Sequence, residues 1–158
     1  LQISAQRKHR LRILLAEDDP IDQQIALKML RMMGHAVDLV KNGAEAVQAV
    51  GRVTYDMAVM DVQMPDMDGI QATRRIRCLY GNDLMVIFVT ASSPDIYREQ
   101  CFKAGGNEFL CKPLKFEKLS SAINRVCRGI NDGPADNESL ISYEDQGETN
   151  GCHAERLH

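Results

Sequence analysis

No apolar run in this chain approaches the roughly 18 consecutive residues that a membrane-spanning helix needs, so none of its segments is expected to cross a bilayer. The opening LQISAQRKHR is polar and basic, and without an apolar stretch it does not read as a secretory signal. No C-x-x-C pair occurs among Cys78, Cys101, Cys111, Cys127 and Cys152. An odd, scattered set argues against a disulfide framework or a zinc site, and suggests mostly buried thiols in a reducing compartment. His9, His35, His153 and His158 lack metal-ligand spacing and read as surface or turn residues. Bases form no stripe: residues 1–130 hold 15 acids and 18 bases, and the one basic run, RKHRLR, reads as a solvated linker rather than a nucleic-acid footprint. The G-x-x-x-x-G-K-[ST] phosphate loop is also missing.

What is present is a strict rhythm. LRILLA (11–16) reads as a strand, and Asp19 followed by Pro20 is a helix start, an Asx cap with proline at the first helical position. Ile21, Ile25, Met29 and Met32 recur at helical spacing, and Gly34 ends the run. AVDLV (36–40) alternates like a half-exposed strand. NGAEAVQAV (42–50) reads as a short helix and DMAVMD (56–61) as a strand. After the loop MPDMDG (64–69) comes a helix to about Cys78. LMVIFVT (84–90) is the near-continuous apolar type buried on both faces of a parallel sheet. A helix from Pro94 closes at Gly105–Gly106, EFLC (108–111) is a short strand, and Phe116, Leu119, Ile123 and Val126 mark a last amphipathic helix ending near Gly129. Five βα units predict an α/β fold, a parallel sheet with helices on both faces. From Asn131 to the end there are seven acids and one base, Arg156; this apolar-poor stretch is expected to be disordered. The predicted organisation is a linker at 1–10, a domain at 11–130 and an acidic tail at 131–158.

In open parallel sheets functional residues collect at the carboxyl ends of the strands. The first strand delivers Glu17, Asp18 and Asp19 there, the third Asp61, the fourth Thr90 and the fifth Lys112. Each alone has a plain reading: a helix cap, a loop cap, a loop lysine. Their convergence on one rim is more specific. Clustered carboxylate oxygens suit Mg²⁺, which takes one or two carboxylates and keeps waters, and the ion would offset the repulsion among the acids. An aspartate can act as nucleophile to give an aspartyl phosphate. Phosphoryl transfer depends mainly on positioning and charge neutralisation, to which Lys112 and the Thr90 hydroxyl contribute.

In motif order and spacing, LLAEDD, MDVQMPDMDG, VTA and CKP resemble the receiver domain of two-component response regulators, over residues 11 to about 129. The resemblance implies a flavodoxin-like doubly wound sheet of order 2-1-3-4-5, the order that a family member exemplifies. It further implies Asp61 as phosphoacceptor, Asp18 as direct Mg²⁺ ligand, Glu17 as the water-linked acid and the Gln63 backbone carbonyl as a further ligand. Thr90 and Lys112 would contact the phosphoryl oxygens, with a cis Lys112–Pro113 bond. Thr90 and Phe109 fall at the switch positions, and Phe rather than Tyr at 109 removes any gating by a hydroxyl. Gln63 and Ser92 occupy positions that tune hydrolysis in the family. MDVQMPDMDGIQATRRIR and REQCFKAGGNEFLCKPL look most like receivers fused to hybrid sensor histidine kinases. With a first residue other than Met, a fragment from the C-terminal end of such a kinase is expected.

The implied function is acceptance of a phosphoryl group from phosphohistidine and its relay to or from a histidine phosphotransfer protein, in the cytoplasm. No nucleic-acid or membrane contact is expected, and no activity beyond self-phosphorylation and autodephosphorylation. Two alternatives stand beside it. A phosphohydrolase of the haloacid dehalogenase type needs a second acid two residues after its nucleophile, where this chain has Gln63. A receiver-like module that is never phosphorylated would be expected to have lost Asp61, an acidic partner or Lys112.

Overall fold

The computed structural model describes residues 10–92 and 94–129. The predicted acidic tail, most of the predicted linker, Cys152 and three of the four histidines lie outside them. The chain alternates β1 (Arg12–Ala16), α1 (Pro20–Met32), β2 (Ala36–Val40), α2 (Gly43–Arg52), β3 (Met57–Asp61), α3 (Gly69–Tyr80), β4 (Met85–Thr90), α4 (Pro94–Lys103), β5 (Glu108–Cys111) and α5 (Phe116–Gly129). The strands form one parallel sheet of order β2-β1-β3-β4-β5, as expected.

Alternation along the three inner strands builds two cores. Leu14, Ala16, Ala58, Met60, Val86 and Phe88 face α2, α3 and α4 and pack with Ala46, Ile76 and Cys101. Ile13, Leu15, Met57, Val59, Ile87 and Val89 point the other way, onto Ala26 and Leu30 of α1 and Leu119, Ile123 and Val126 of α5. Every residue of β3 is buried, because a central strand between two helical layers has no solvent face. The edge strand β2 is half-buried along most of its length, in keeping with its alternating pattern.

The helical spacing of Ile21, Ile25, Met29 and Met32 does mark a helix, but not its inward face. Gln23, Ala26 and Leu30 are the buried positions of α1, with Leu27, Met29 and Met33 partly covered. Ile21, Ile25 and Met32 are 71%, 42% and 67% exposed. Small Ala26 lets the helix lie close to the sheet, and the bulkier stripe is turned outward. In α5, Leu119, Ile123 and Val126 are buried as expected, while Phe116, at the first turn, is exposed. Among the described residues the expectation that most cysteines are buried thiols holds only for Cys101, and Cys78 is disulfide-bonded rather than a free thiol. Cys111, the last residue of edge strand β5, is exposed, Cys127 is half-buried and so is Cys78. His35 lies in the α1–β2 turn and accepts the Leu11 N–H at 3.1 Å.

Candidate functional site

The carboxyl end of β1 runs directly into the site. Glu17 continues past the last strand residue and is only 4% exposed. The chain then reverses: the Asp19 carboxylate caps α1, accepting from the Ile21 and Asp22 N–H groups at 2.8 and 2.9 Å, and Pro20 takes the first helical position. These bonds satisfy donors that every helix start leaves free. Asp19 therefore belongs to the helix cap, and Asp18 remains exposed at the rim. The Gln23 side chain, one turn into α1, donates to the Glu17 carbonyl at 2.6 Å and fixes the turn from below.

Asp61 ends β3 and is 6% exposed. Two donors orient its carboxylate: the Gln63 backbone N–H reaches Oδ1 at 3.1 Å, and Lys112 Nζ reaches Oδ2 at 2.9 Å. Helix α3 begins directly against this strand end. A Cβ on Gly69 would lie 2.1 Å from the Asp61 carbonyl oxygen, closer than any side chain permits, so glycine is what allows the approach. Thr90, fully buried at the end of β4, accepts the Ser92 N–H through its Oγ1 at 3.1 Å. The Lys112 N–H donates to the Thr90 carbonyl at 2.8 Å, which continues the β4–β5 pairing one residue beyond Cys111. The Lys112–Pro113 peptide is cis. Phe109 is half-buried, paired in register with Phe88 and packed against the core beneath α2, α3 and α4.

Carboxylate oxygens of Glu17, Asp18 and Asp61 lie within 4.8 Å of one another. Lys112 Nζ stands among the acids, 2.7 Å from Glu17 Oε2 and 2.9 Å from both Asp22 Oδ2 and Asp61 Oδ2. Burial pushes the Glu17 carboxyl up to about 7, against the opposing pull of Lys112. Burial acts to lower the Lys112 ammonium, but its three carboxylate partners outweigh this and hold it above the ordinary lysine range. Three acids thus bond one ammonium and a fourth, Asp18, stands beside Glu17 and Asp61, leaving an excess of negative charge around hard oxygen donors. That donor set fits a small divalent cation, which favours carboxylate and carbonyl oxygens and retains waters on its open side; exposed Asp18 faces such a side.

The structure brings Glu17, Asp18, Asp61 and Lys112 together, with Thr90 joined to Lys112 through the backbone. Asp22 is a fourth acid that the sequence reading passed over. It lies in the first turn of α1, and an acid in the turn that directly follows an acid-bearing strand end was the available signal. Tyr97 was also unanticipated: its hydroxyl accepts from the Gln63 side-chain amide at 3.1 Å.

Residues 13–124 match the family model of the response regulator receiver domain. The chain belongs to this receiver family. At 30% identity over 149 residues it resembles a probable histidine kinase of Oryza sativa subsp. indica, with 74% of this chain and 15% of that protein covered. This chain thus spans a small part of the curated kinases it matches. The receiver domain of a Pseudomonas aeruginosa sensor histidine kinase, solved with a magnesium ion coordinated in its active-site cleft, is 39% identical. The likeness covers 73% of this chain and 96% of that one at a TM-score of 0.69. A third receiver-type likeness is to a Saccharomyces cerevisiae co-crystal of a histidine phosphotransfer signalling protein with the receiver domain of its downstream response regulator. There the identity is 26% and the TM-score 0.70, with 85% of this chain and 94% of that chain covered. This receiver is thus part of two-component signalling, and among its described residues no helix is long and apolar enough to cross a membrane.

Proposed function

We propose that this receiver accepts a phosphoryl group from phosphohistidine onto Asp61 and relays it to or from a histidine phosphotransfer protein, as the C-terminal receiver of a hybrid histidine kinase acting in the cytoplasm. The observation that carries the reading is Asp61 itself, a buried carboxylate gripped at both oxygens, beside an acid cluster and under one ammonium. In the forward step an Asp61 oxygen forms a bond to phosphorus as the phosphorus–nitrogen bond to the donor imidazole breaks, and the electron pair of that bond returns to the ring nitrogen. Lys112, already on Asp61 Oδ2, can turn its ammonium to a phosphoryl oxygen, and the Thr90 hydroxyl supplies a second donor. Mg²⁺ held by Glu17, Asp18, Asp61 and the Gln63 carbonyl would neutralise charge on the same oxygens. The magnesium in the cleft of the Pseudomonas relative supports this assignment.

Negative charge added at Asp61 then favours a state in which Thr90 moves inward and Phe109 repacks, a population shift driven by a covalent ligand. The outward stripe of α1, Ile21, Ile25 and Met32, starts immediately beyond the acid cluster. An exposed apolar row beside a reaction site is the kind of patch a partner protein covers, and the phosphotransfer protein bound to the yeast receiver supports that class of partner. The test is incubation of the chain with a radiolabelled, phosphorylated histidine phosphotransfer protein and Mg²⁺. Wild type is expected to take up label and Asp61→Asn to take up none; equal labelling of the two would falsify the assignment.

A further inference from the structure

Resting on the phosphoacceptor reading above, we propose that Tyr97 is a positioning residue for the lifetime of the aspartyl phosphate, acting through Gln63. Gln63 is tied at two points. Its backbone N–H donates to Asp61 Oδ1 at 3.1 Å, and its side-chain amide donates to the Tyr97 hydroxyl at 3.1 Å. Tyr97 is a firm anchor for that amide. It lies in the first turn of α4, half-buried, with its ring packed against the core beneath α2, α3 and α4. A tyrosine ring held by packing fixes where its hydroxyl points.

The contact therefore spans from the loop that follows β3 to the helix that follows β4. Without it, the exposed Gln63 side chain has no other partner among the hydrogen bonds of the described residues and is free to sample several rotamers. Tied to α4, the amide stays at one side of the mouth of the Asp61 site and limits the approach of water. Helix α4 follows the segment whose Ser92 N–H binds Thr90 Oγ1.

Hydrolysis of the aspartyl phosphate forms a bond from a water oxygen to phosphorus and breaks the bond from phosphorus to the Asp61 oxygen. The electron pair returns to the carboxylate, and the proton lost from water passes to solvent. Removing the Tyr97 hydroxyl releases the amide that restricts this water. Tyr97→Phe keeps the ring and its packing but loses the bond, so the half-life is expected to shorten about fivefold, which corresponds to about 1 kcal/mol.

The experiment charges the full chain with acetyl phosphate and Mg²⁺, removes the donor, and follows loss of the aspartyl phosphate in wild type, Tyr97→Phe, Gln63→Ala and the double variant. The proposal expects shorter half-lives in both single variants and no further shortening when Tyr97→Phe is added to Gln63→Ala. Equal half-lives in wild type and Tyr97→Phe overturn the proposal alone, as does a full additional effect in the double variant. Wild type that forms no aspartyl phosphate from acetyl phosphate or from the phosphotransfer protein overturns the phosphoacceptor reading, and this proposal with it.

Discussion

At Lys112 a single ammonium serves three carboxylates that belong to three different segments of the chain. Taking away one member of a buried ion cluster leaves uncompensated charge, at a typical cost of about 3 kcal/mol. Lys112→Met is therefore expected to lower stability by about that much in chelator-treated protein, measured by urea unfolding. Saturating Mg²⁺ should narrow the gap, because the added cation neutralises the same acids; a gap that magnesium leaves untouched would show that the lysine does not share its site. The acids themselves divide by geometry. Asp18 faces the rim with Glu17 and Asp61, whereas the Asp19 carboxylate is spent on two backbone N–H groups of α1. In calorimetric titration Asp18→Ala should weaken Mg²⁺ binding far more than Asp19→Ala. The latter should instead destabilise the helix start by about 1 kcal/mol. Equal losses of metal affinity would mean the wrong acid has been assigned.

Among the elements, α1 carries two roles on opposite faces. Its inward face, Gln23, Ala26 and Leu30, fixes the helix to the sheet and the Glu17 turn. Its outward stripe leaves Ile21, Ile25 and Met32 exposed. A charge placed there should spare folding, since surface substitutions away from special features usually change stability by less than about 0.5 kcal/mol. Ile25→Asp is expected to slow transfer from a phosphorylated phosphotransfer protein by at least about tenfold, the loss of one apolar anchor at an interface. Labelling from acetyl phosphate should continue at the wild-type rate. If both donors slow together, the stripe acts on folding or on the site rather than on docking.

For the molecule as a whole, the pole of the sheet opposite the acids is held by a polar cluster that joins edge strand to core. The buried Tyr55 hydroxyl donates to Asp38 Oδ2 at 2.6 Å, and Arg12 reaches the same carboxylate oxygen at 3.2 Å while lying over the Tyr55 ring. Burial, then the Asp38 bond, pushes the Tyr55 phenol up to about 12. The folded state thus prefers the protonated phenol. The stability it contributes is complete below the ordinary value of about 10 and is lost as pH rises through about 12. The Tyr55 hydroxyl in turn holds the half-exposed Asp38 below the usual carboxylate range; its smaller contribution is present at neutral pH and is lost on acidification. Tyr55→Phe should cost about 1 kcal/mol at pH 7. Between pH 10 and 12 it should lose stability less steeply than wild type in urea unfolding; parallel pH profiles would show that the bond carries no linkage.

The sequence by itself determined the architecture. Period-two alternation in β2, unbroken apolar runs in β3 and β4, and proline, asparagine or aspartate at helix starts are local signals, and each reflects the environment its segment meets. The site was legible for the same reason: in a parallel sheet the residues that end or directly follow each strand emerge at one rim, so Glu17, Asp18, Asp61, Thr90 and Lys112 could be brought together from the sequence. Three things depended on tertiary structure. Periodicity locates a helix but not the face that packs, and the choice between Ala26–Leu30 and Ile21–Ile25–Met32 was made by how closely α1 approaches the sheet. Asp22 joined the acids because the first turn of α1 brings it against Lys112, which follows β5. Tyr97 meets Gln63 across 34 residues of chain, a contact that no local pattern encodes, since it joins the loop after β3 to the first turn of α4.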